Sequence, residues 1–187
     1  MAEKNEQEEA ACLMALIARG ERQALVSLMT LYQRPMVSVA TRYLGRQDEA
    51  EEVVQDVFVR VWQNARLYDE KRAKVTTWIY RINVNLCIDR KRKRAFRQFI
   101  GLEEMTTEIS DPVPNAADHH ESRARLNEVR AAIDKLPDRQ RMVLLLSAVA
   151  ELETAAIADA MRISRGAVEQ LLVRARRSLK AMTAEDI

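Results

Sequence analysis

Thr154-Ala155-Ala156-Ile157-Ala158-Asp159-Ala160-Met161, then Arg162-Ile163, then Ser164-Arg165-Gly166-Ala167-Val168 running on to Arg174-Ala175-Arg176-Arg177, has the layout of a helix-turn-helix. A short helix over 154–161 carries Ile157, Ala158 and Met161 inward, and a tight turn carries Ile163. A second helix over 164–182 begins at Ser164, whose hydroxyl suits the free N–H groups of a helix start. Such a helix can enter a major groove and read base edges from its N-terminal half. Its charge favours DNA: Arg165, Arg174, Arg176, Arg177 and Lys180 stand against Glu169 alone. An ordinary α-hairpin with a solvated basic face fits the same local pattern.

A second, dissimilar unit lies upstream. Thr76-Thr77-Trp78-Ile79-Tyr80-Arg81-Ile82-Asn83 runs on into Asp89-Arg90-Lys91-Arg92-Lys93-Arg94. Tyr68, Lys71, Arg72, Lys74, Trp78, Tyr80 and Arg81 interleave rings and cations, a composition suited to melted DNA, whose bases stack on rings while its backbone meets cations. Trp78, Phe58 and Trp62 also read as core anchors. Two unlike DNA-binding units on one short chain point to a protein that touches DNA at two places at once.

Bulk properties agree with helices. Only 4 Gly and 4 Pro occur in 187 residues, and Ala, Leu, Arg, Glu and Met, all good helix formers, dominate. The fold class expected is all-α. Net charge is only +2, yet residues 90–97 hold six basic groups and no acid. Residues 98–122 hold six acids and no Lys or Arg, so a basic contact surface adjoins an acidic tether. Cys12 and Cys87 are too few for a disulfide framework or a zinc motif, and Cys87 reads as a small core residue. His119 and His120 are adjacent, so they do not share a helix face and make poor joint ligands. No metal or cofactor is expected, and no phosphate-cradling loop, nucleophile elbow or general base calls for catalysis. No apolar run approaches the ~18 residues of a membrane span. The acidic, polar start MAEKNEQEEA does not read as a signal peptide, so a reducing cytoplasm is the expected compartment.

Periodicity predicts helices over 9–19, 22–44, 48–64 and 76–97. Pro35 should kink or interrupt the second, and Gly45 should close it. In the third, Val53, Val54, Val57, Phe58, Val61 and Trp62 make one stripe, while Glu49, Glu52, Gln55, Asp56 and Arg60 lie on other faces. Residues 66–75 read as a polar loop. Residues 98–121, with Pro112 and Pro114, read as a linker. Helices over 122–135, 138–150, 154–161 and 164–182 follow, with Pro137 suited to a first helical turn.

In order and spacing, four motifs resemble the extracytoplasmic-function (ECF) sigma factors of bacterial RNA polymerase. They are Asp48-Glu49-Ala50-Glu51-Glu52-Val53-Val54-Gln55-Asp56-Val57-Phe58, Thr77-Trp78-Ile79-Tyr80-Arg81-Ile82, Leu136-Pro137-Asp138-Arg139-Gln140-Arg141, and Ile157-Ala158 with Val168 and Arg174-Ala175-Arg176. The resemblance covers about residues 10–182. It implies two small helical domains: a region 2 domain over 1–97 and a region 4 domain over 122–187, joined by an acidic flexible linker over 98–121. It implies docking of Glu52, Gln55 and Asp56 on the clamp helices of the largest subunit of core RNA polymerase, with region 4 at the flap. It implies −10 recognition, with a flipped base, by Tyr68, Lys71, Lys74, Thr77, Tyr80, Arg81, Asn85, Arg90 and Arg92. It implies −35 recognition by Ser164, Arg165, Glu169, Gln170, Val173, Arg174 and Arg177. An anti-sigma factor, membrane-bound or soluble, is implied as a further partner, beside promoter DNA.

Two departures from the family pattern stand out. Glu153 occupies a cap position where relatives often have Ser or Thr. Gly166-Ala167-Val168-Glu169-Gln170-Leu171 replaces a more basic string, which alters −35 reading: Glu169 can accept from cytosine N4 and Gln170 can pair with adenine. A stand-alone helix-turn-helix regulator and a sigma-mimicking interaction protein are the competing readings. With a polar linker, the two domains are expected to move independently in the free protein.

Overall fold

A computed structural model of the chain describes residues 2–102 and 120–184, with side chains over 6–102 and 127–183. The greater part of the expected linker, together with His119 and the side chain of His120, lies outside the described residues. Among those described, the structure is helical and has no strand. The helices are α1 (Ala2–Ala18), α2 (Arg22–Leu44), α3 (Gln47–Asn64), α4 (Val75–Phe99), α5 (His120–Asp134), α6 (Asp138–Ala148), α7 (Thr154–Met161) and α8 (Arg165–Ala184), with a 3-10 turn at Ala65–Leu67.

In the first unit α2 packs on α1 and α3, and α4 closes the group against α3. The stripe of α3 becomes core as its periodicity requires: Val53, Val54, Val57, Phe58 and Val61 are buried, each worth about 1.5–3 kcal/mol when fully withdrawn from water. Asp48 and Glu49 sit in the first turn of α3, where carboxylates favour the positive end of the dipole. Arg46 donates to Asp48 at 2.7 Å, and this bond holds the Asp48 carboxyl below its ordinary range. Gly45 ends α2 in the left-handed region at φ 76°, its N–H donating to Thr41 O at 2.8 Å.

Of the two effects expected of Pro35, interruption does not occur: α2 runs through it. The carbonyl that loses its partner belongs to Leu31 on the exposed side, while buried Leu28, Met36 and Val39 hold both flanks of the proline in the core. Glu49 is not on a solvent face. It is 9% exposed and lies within ion-pair distance of Arg94 (3.5 Å) and Arg46 (3.7 Å).

In the second unit α6, α7 and α8 pack around Met142, Val143, Leu145, Leu146, Ile157, Val168 and Leu172, with α5 against α8. Pro137 stands one residue before the first turn of α6, at the cap position. Ser164 caps α8, its Oγ accepting from the Ala167 N–H at 3.2 Å. Glu153, at the corresponding place before α7, makes no side-chain cap bond. Arg162 ends α7 in the left-handed region at φ 55°, and its N–H is shared between the carbonyls of Ala158 and Asp159.

Independent domains are not what the structure shows. α4 packs on α7 and α2 on α6, so one apolar core runs through both units. Lys91 pairs with Asp138 and lies 5.1 Å from the centre of the Tyr43 ring, and Arg141 Nη1 donates to Tyr43 O at 3.4 Å.

Candidate functional site

Three faces carry the predicted chemistry. The first is on α3. Because its apolar stripe is spent on the core, Glu52, Gln55 and Asp56 are left exposed on the opposite side. Glu52 is committed to an ion pair with Arg90 of α4 at 2.7 Å, and this bond is the main reason the Arg90 guanidinium is raised above its ordinary range. Beside Gln55 a shallow groove between α2 and α3, about 380 Å³, is lined by Met29, Arg34, Val37, Glu51, Val54 and Phe58.

The second face surrounds the start of α4. Asp69 organises the loop before it: its Oδ1 accepts from the Lys71 N–H at 3.0 Å, and its Oδ2 lies 3.5 Å from Arg72. Tyr68 donates its hydroxyl to Ala73 O at 3.1 Å and meets the half-buried Trp78 edge to face, centroids 5.7 Å apart. Burial pushes the Tyr68 phenol up to about 12, with Glu70 adding to the rise. Its ring therefore shapes the loop, and Lys71, Arg72 and Lys74 are its exposed cations, Arg72 paired with Asp69.

Lys74, Thr76, Thr77 and Tyr80 line one wall of a cavity of about 320 Å³, with Tyr32 beside them. Tyr32 and Thr76 share a hydrogen bond of 3.0 Å. Thr77 is 5% and Tyr80 2% exposed, so these two predicted DNA contacts are shut away from solvent in this arrangement. Burial raises the Tyr80 phenol, and it raises that of Tyr32 against the lowering effect of Thr76.

Along α4 the predicted residues diverge. Arg81 is half-buried and Asn85 exposed. Arg90 turns to α3, and Arg92 pairs with Asp89 at 3.1 Å. The structure thus gathers Lys74, Thr77 and Tyr80 and leaves Arg90 apart from them. Sequence reasoning missed Tyr32 and Thr76; only the packing of α2 beside α4 reveals them.

The third face is on α8. Val168, Leu172 and Ala175 are buried, and the opposite side carries Ser164, Arg165, Glu169, Gln170, Val173, Arg174 and Arg177, every one exposed. Val173 is 56% exposed, an apolar contact available to a thymine methyl. Sequence spacing alone was enough for this face, because it depends on one helix and the side it buries.

Comparison with known proteins agrees with this layout. Residues 28–97 match the family model Sigma-70 region 2, and residues 126–179 match Sigma-70, region 4. The chain is similar to the ECF RNA polymerase sigma factor SigW of Bacillus subtilis, 30% identical over 171 residues, covering 88% of this chain and 91% of that one. It is similar in fold to CnrH, solved in complex with the cytosolic domain of CnrY, with a TM-score of 0.73 and 23% identity over 96% of this chain and 99% of that one. RpoE from Bartonella quintana, solved with the anti-sigma factor NepR, matches with a TM-score of 0.67 and 20% identity over 85% and 96% of the two chains. Region 2 on the unit that presents the α3 and α4 faces, region 4 on the unit that presents α8, and a curated relative matched nearly end to end lead to one assignment: the chain belongs to the ECF sigma factors of the sigma-70 family, promoter-specificity subunits of RNA polymerase and not enzymes.

Proposed function

We propose that the three faces divide the work of promoter recognition. α3 docks on the clamp helices of the largest subunit of core RNA polymerase through Glu52, Gln55 and Asp56. The loop before α4 and the cavity lined by Lys74, Thr77 and Tyr80 read the −10 element and accept a base turned out of the non-template strand. Arg81, Asn85, Arg90 and Arg92 extend that surface along α4. α8 reads the −35 element through Ser164, Arg165, Glu169, Gln170, Val173, Arg174 and Arg177, with region 4 resting on the flap. The domains so defined run over 1–97 and 122–187.

The observation that carries this reading is the sidedness of α3 and α8. Each buries most of an apolar stripe, and each leaves exposed the polar positions that the family motif assigns to a partner. An anti-sigma factor is a further partner of this chain, by analogy with RpoE bound to NepR. No described helix is long and apolar enough to cross a membrane; membership of the sigma family supports action in the cytoplasm, where the polymerase is. Run-off transcription and promoter footprinting with reconstituted holoenzyme test the whole reading. Start-site selection with protection at both elements is the expected result. Tight promoter binding by the free chain, with no need of polymerase, would favour a stand-alone regulator.

A further inference from the structure

Three helices meet at one hydroxyl in the cavity at the start of α4. Thr76, in the first turn of α4, donates its Oγ1 proton to Gln7 Oε1 of α1 at 3.4 Å. The same oxygen shares the 3.0 Å bond with the Tyr32 hydroxyl of α2. A threonine hydroxyl has a single hydrogen. With that hydrogen given to Gln7, Thr76 can only accept from Tyr32, so the donors run from Tyr32 through Thr76 to Gln7. Tyr32 has then committed its own proton. Its oxygen keeps lone-pair capacity and has no hydrogen left to offer. Burial raises the Tyr32 phenol against the lowering effect of Thr76, with Glu6 and Glu9 adding to the rise, so the proton stays on the oxygen near neutral pH. Gln7, Tyr32 and Thr76 line the cavity together with Lys74, Thr77 and Tyr80. The three bonded residues belong to α1, α2 and α4, so the donor chain needs nothing from the other unit.

We propose that Tyr32 is a specificity-determining residue of this cavity: its hydroxyl oxygen accepts a hydrogen bond from the exocyclic amino group of the base turned out of the non-template strand. Cytosine and adenine each carry such an amino donor, whereas thymine presents the O4 carbonyl in its place. A lone pair set against that carbonyl opposes two acceptors, and neither is satisfied. The cavity therefore selects cytosine or adenine over thymine. Thr76 and Gln7 are positioning residues that act through Tyr32, because they fix where its proton points. This inference rests on the reading of the cavity as the −10 site.

The test uses holoenzyme reconstituted with the full chain, and a promoter pool randomised across the −10 element, each template carrying a barcode in its transcript. Sequencing of the transcripts gives the ratio of cytosine plus adenine to thymine at every position, beside the total yield. The parent should favour the amino-bearing bases at one position. Tyr32→Phe keeps the ring and loses the oxygen, and should cut that preference roughly tenfold. Thr76→Val leaves the Tyr32 proton without its acceptor and free to donate into the cavity, so the preference should turn toward thymine. A role in packing alone would lower the yield and leave the ratio unchanged. An unchanged ratio in either variant, with helical circular dichroism retained, overturns the assignment, as does a parent with no position favouring cytosine or adenine. Should Tyr32→Phe fail to fold, Thr76→Val decides by the same ratio. Lys74→Ala, assayed for promoter melting in holoenzyme, keeps the two readings apart. Normal melting beside unchanged ratios means that the cavity is not the −10 site. Lost melting beside unchanged ratios means that the site stands and Tyr32 does not read its base.

Discussion

Arg141 brings a full positive charge into the junction of the two units, with 8% of its surface exposed. A buried cation needs acceptors. Here Nη2 donates to Asp134 O and Leu136 O, Nη1 donates to Tyr43 O, and the Asp134 carboxylate lies 3.5 Å away, while Nε finds no partner. Arg141→Met should lower stability by about 1.5–3 kcal/mol, seen as a lower midpoint in urea. Arg141→Lys should recover little of it, because an ammonium lacks the planar fork that spans separate carbonyls. An unshifted midpoint would count against this network. Cys87 is fully buried, and burial pushes its thiol up to about 12, against a small lowering by Arg90. Since the thiolate is the reactive form, iodoacetamide near neutral pH should label the exposed Cys12 and spare Cys87 until denaturant is added. Intact mass reads the outcome directly. The core role of Cys87 was legible from its apolar neighbours in sequence; the interdomain role of Arg141 was not, because its acceptors come from carbonyls that only packing brings near.

At the scale of the element, single-helix periodicity accounts for most of what could be foreseen. The bounds of α2 and α7 coincide with the expected 22–44 and 154–161. α1 begins earlier than expected, at Ala2, because its polar first turns carry no apolar stripe to mark them. The exposed side of α3 leads to a docking experiment. Gln55→Arg with Asp56→Arg leaves the buried valines untouched, so helicity should persist while co-purification with core polymerase and transcription are lost. Unchanged binding would show the docking surface to be elsewhere. The exposed side of α8 leads to another. Arg174→Ala should weaken binding at the upstream element by roughly 1–3 kcal/mol. Glu169→Lys turns an acceptor into a donor and should shift which −35 sequence is preferred, as read by selection from a randomised promoter pool.

For the molecule as a whole, a net charge of +2 gives weak attraction to a polyanion, and Thr77 and Tyr80 are buried. The free chain should therefore bind promoter DNA poorly, and holoenzyme should bind it tightly. Mobility-shift titrations at one fixed salt concentration would show the contrast. Periodicity, caps and motif order determined the all-α class, the two helical units, the sidedness of α3 and the whole of the α8 face. These depend on residues a few positions apart on one helix, and a 3.6-residue repeat places them without knowledge of anything else. What only the tertiary structure decided comes from distant parts of the chain meeting. Tyr32 meets Thr76, Arg94 draws Glu49 inward, Arg90 takes up Glu52, and the loop before α7 lies over the cavity at the start of α4. The physical reason is the same in each case. Burial and charge pairing depend on neighbours supplied by another element, and a linear pattern specifies which side of a helix is apolar without specifying what will cover it.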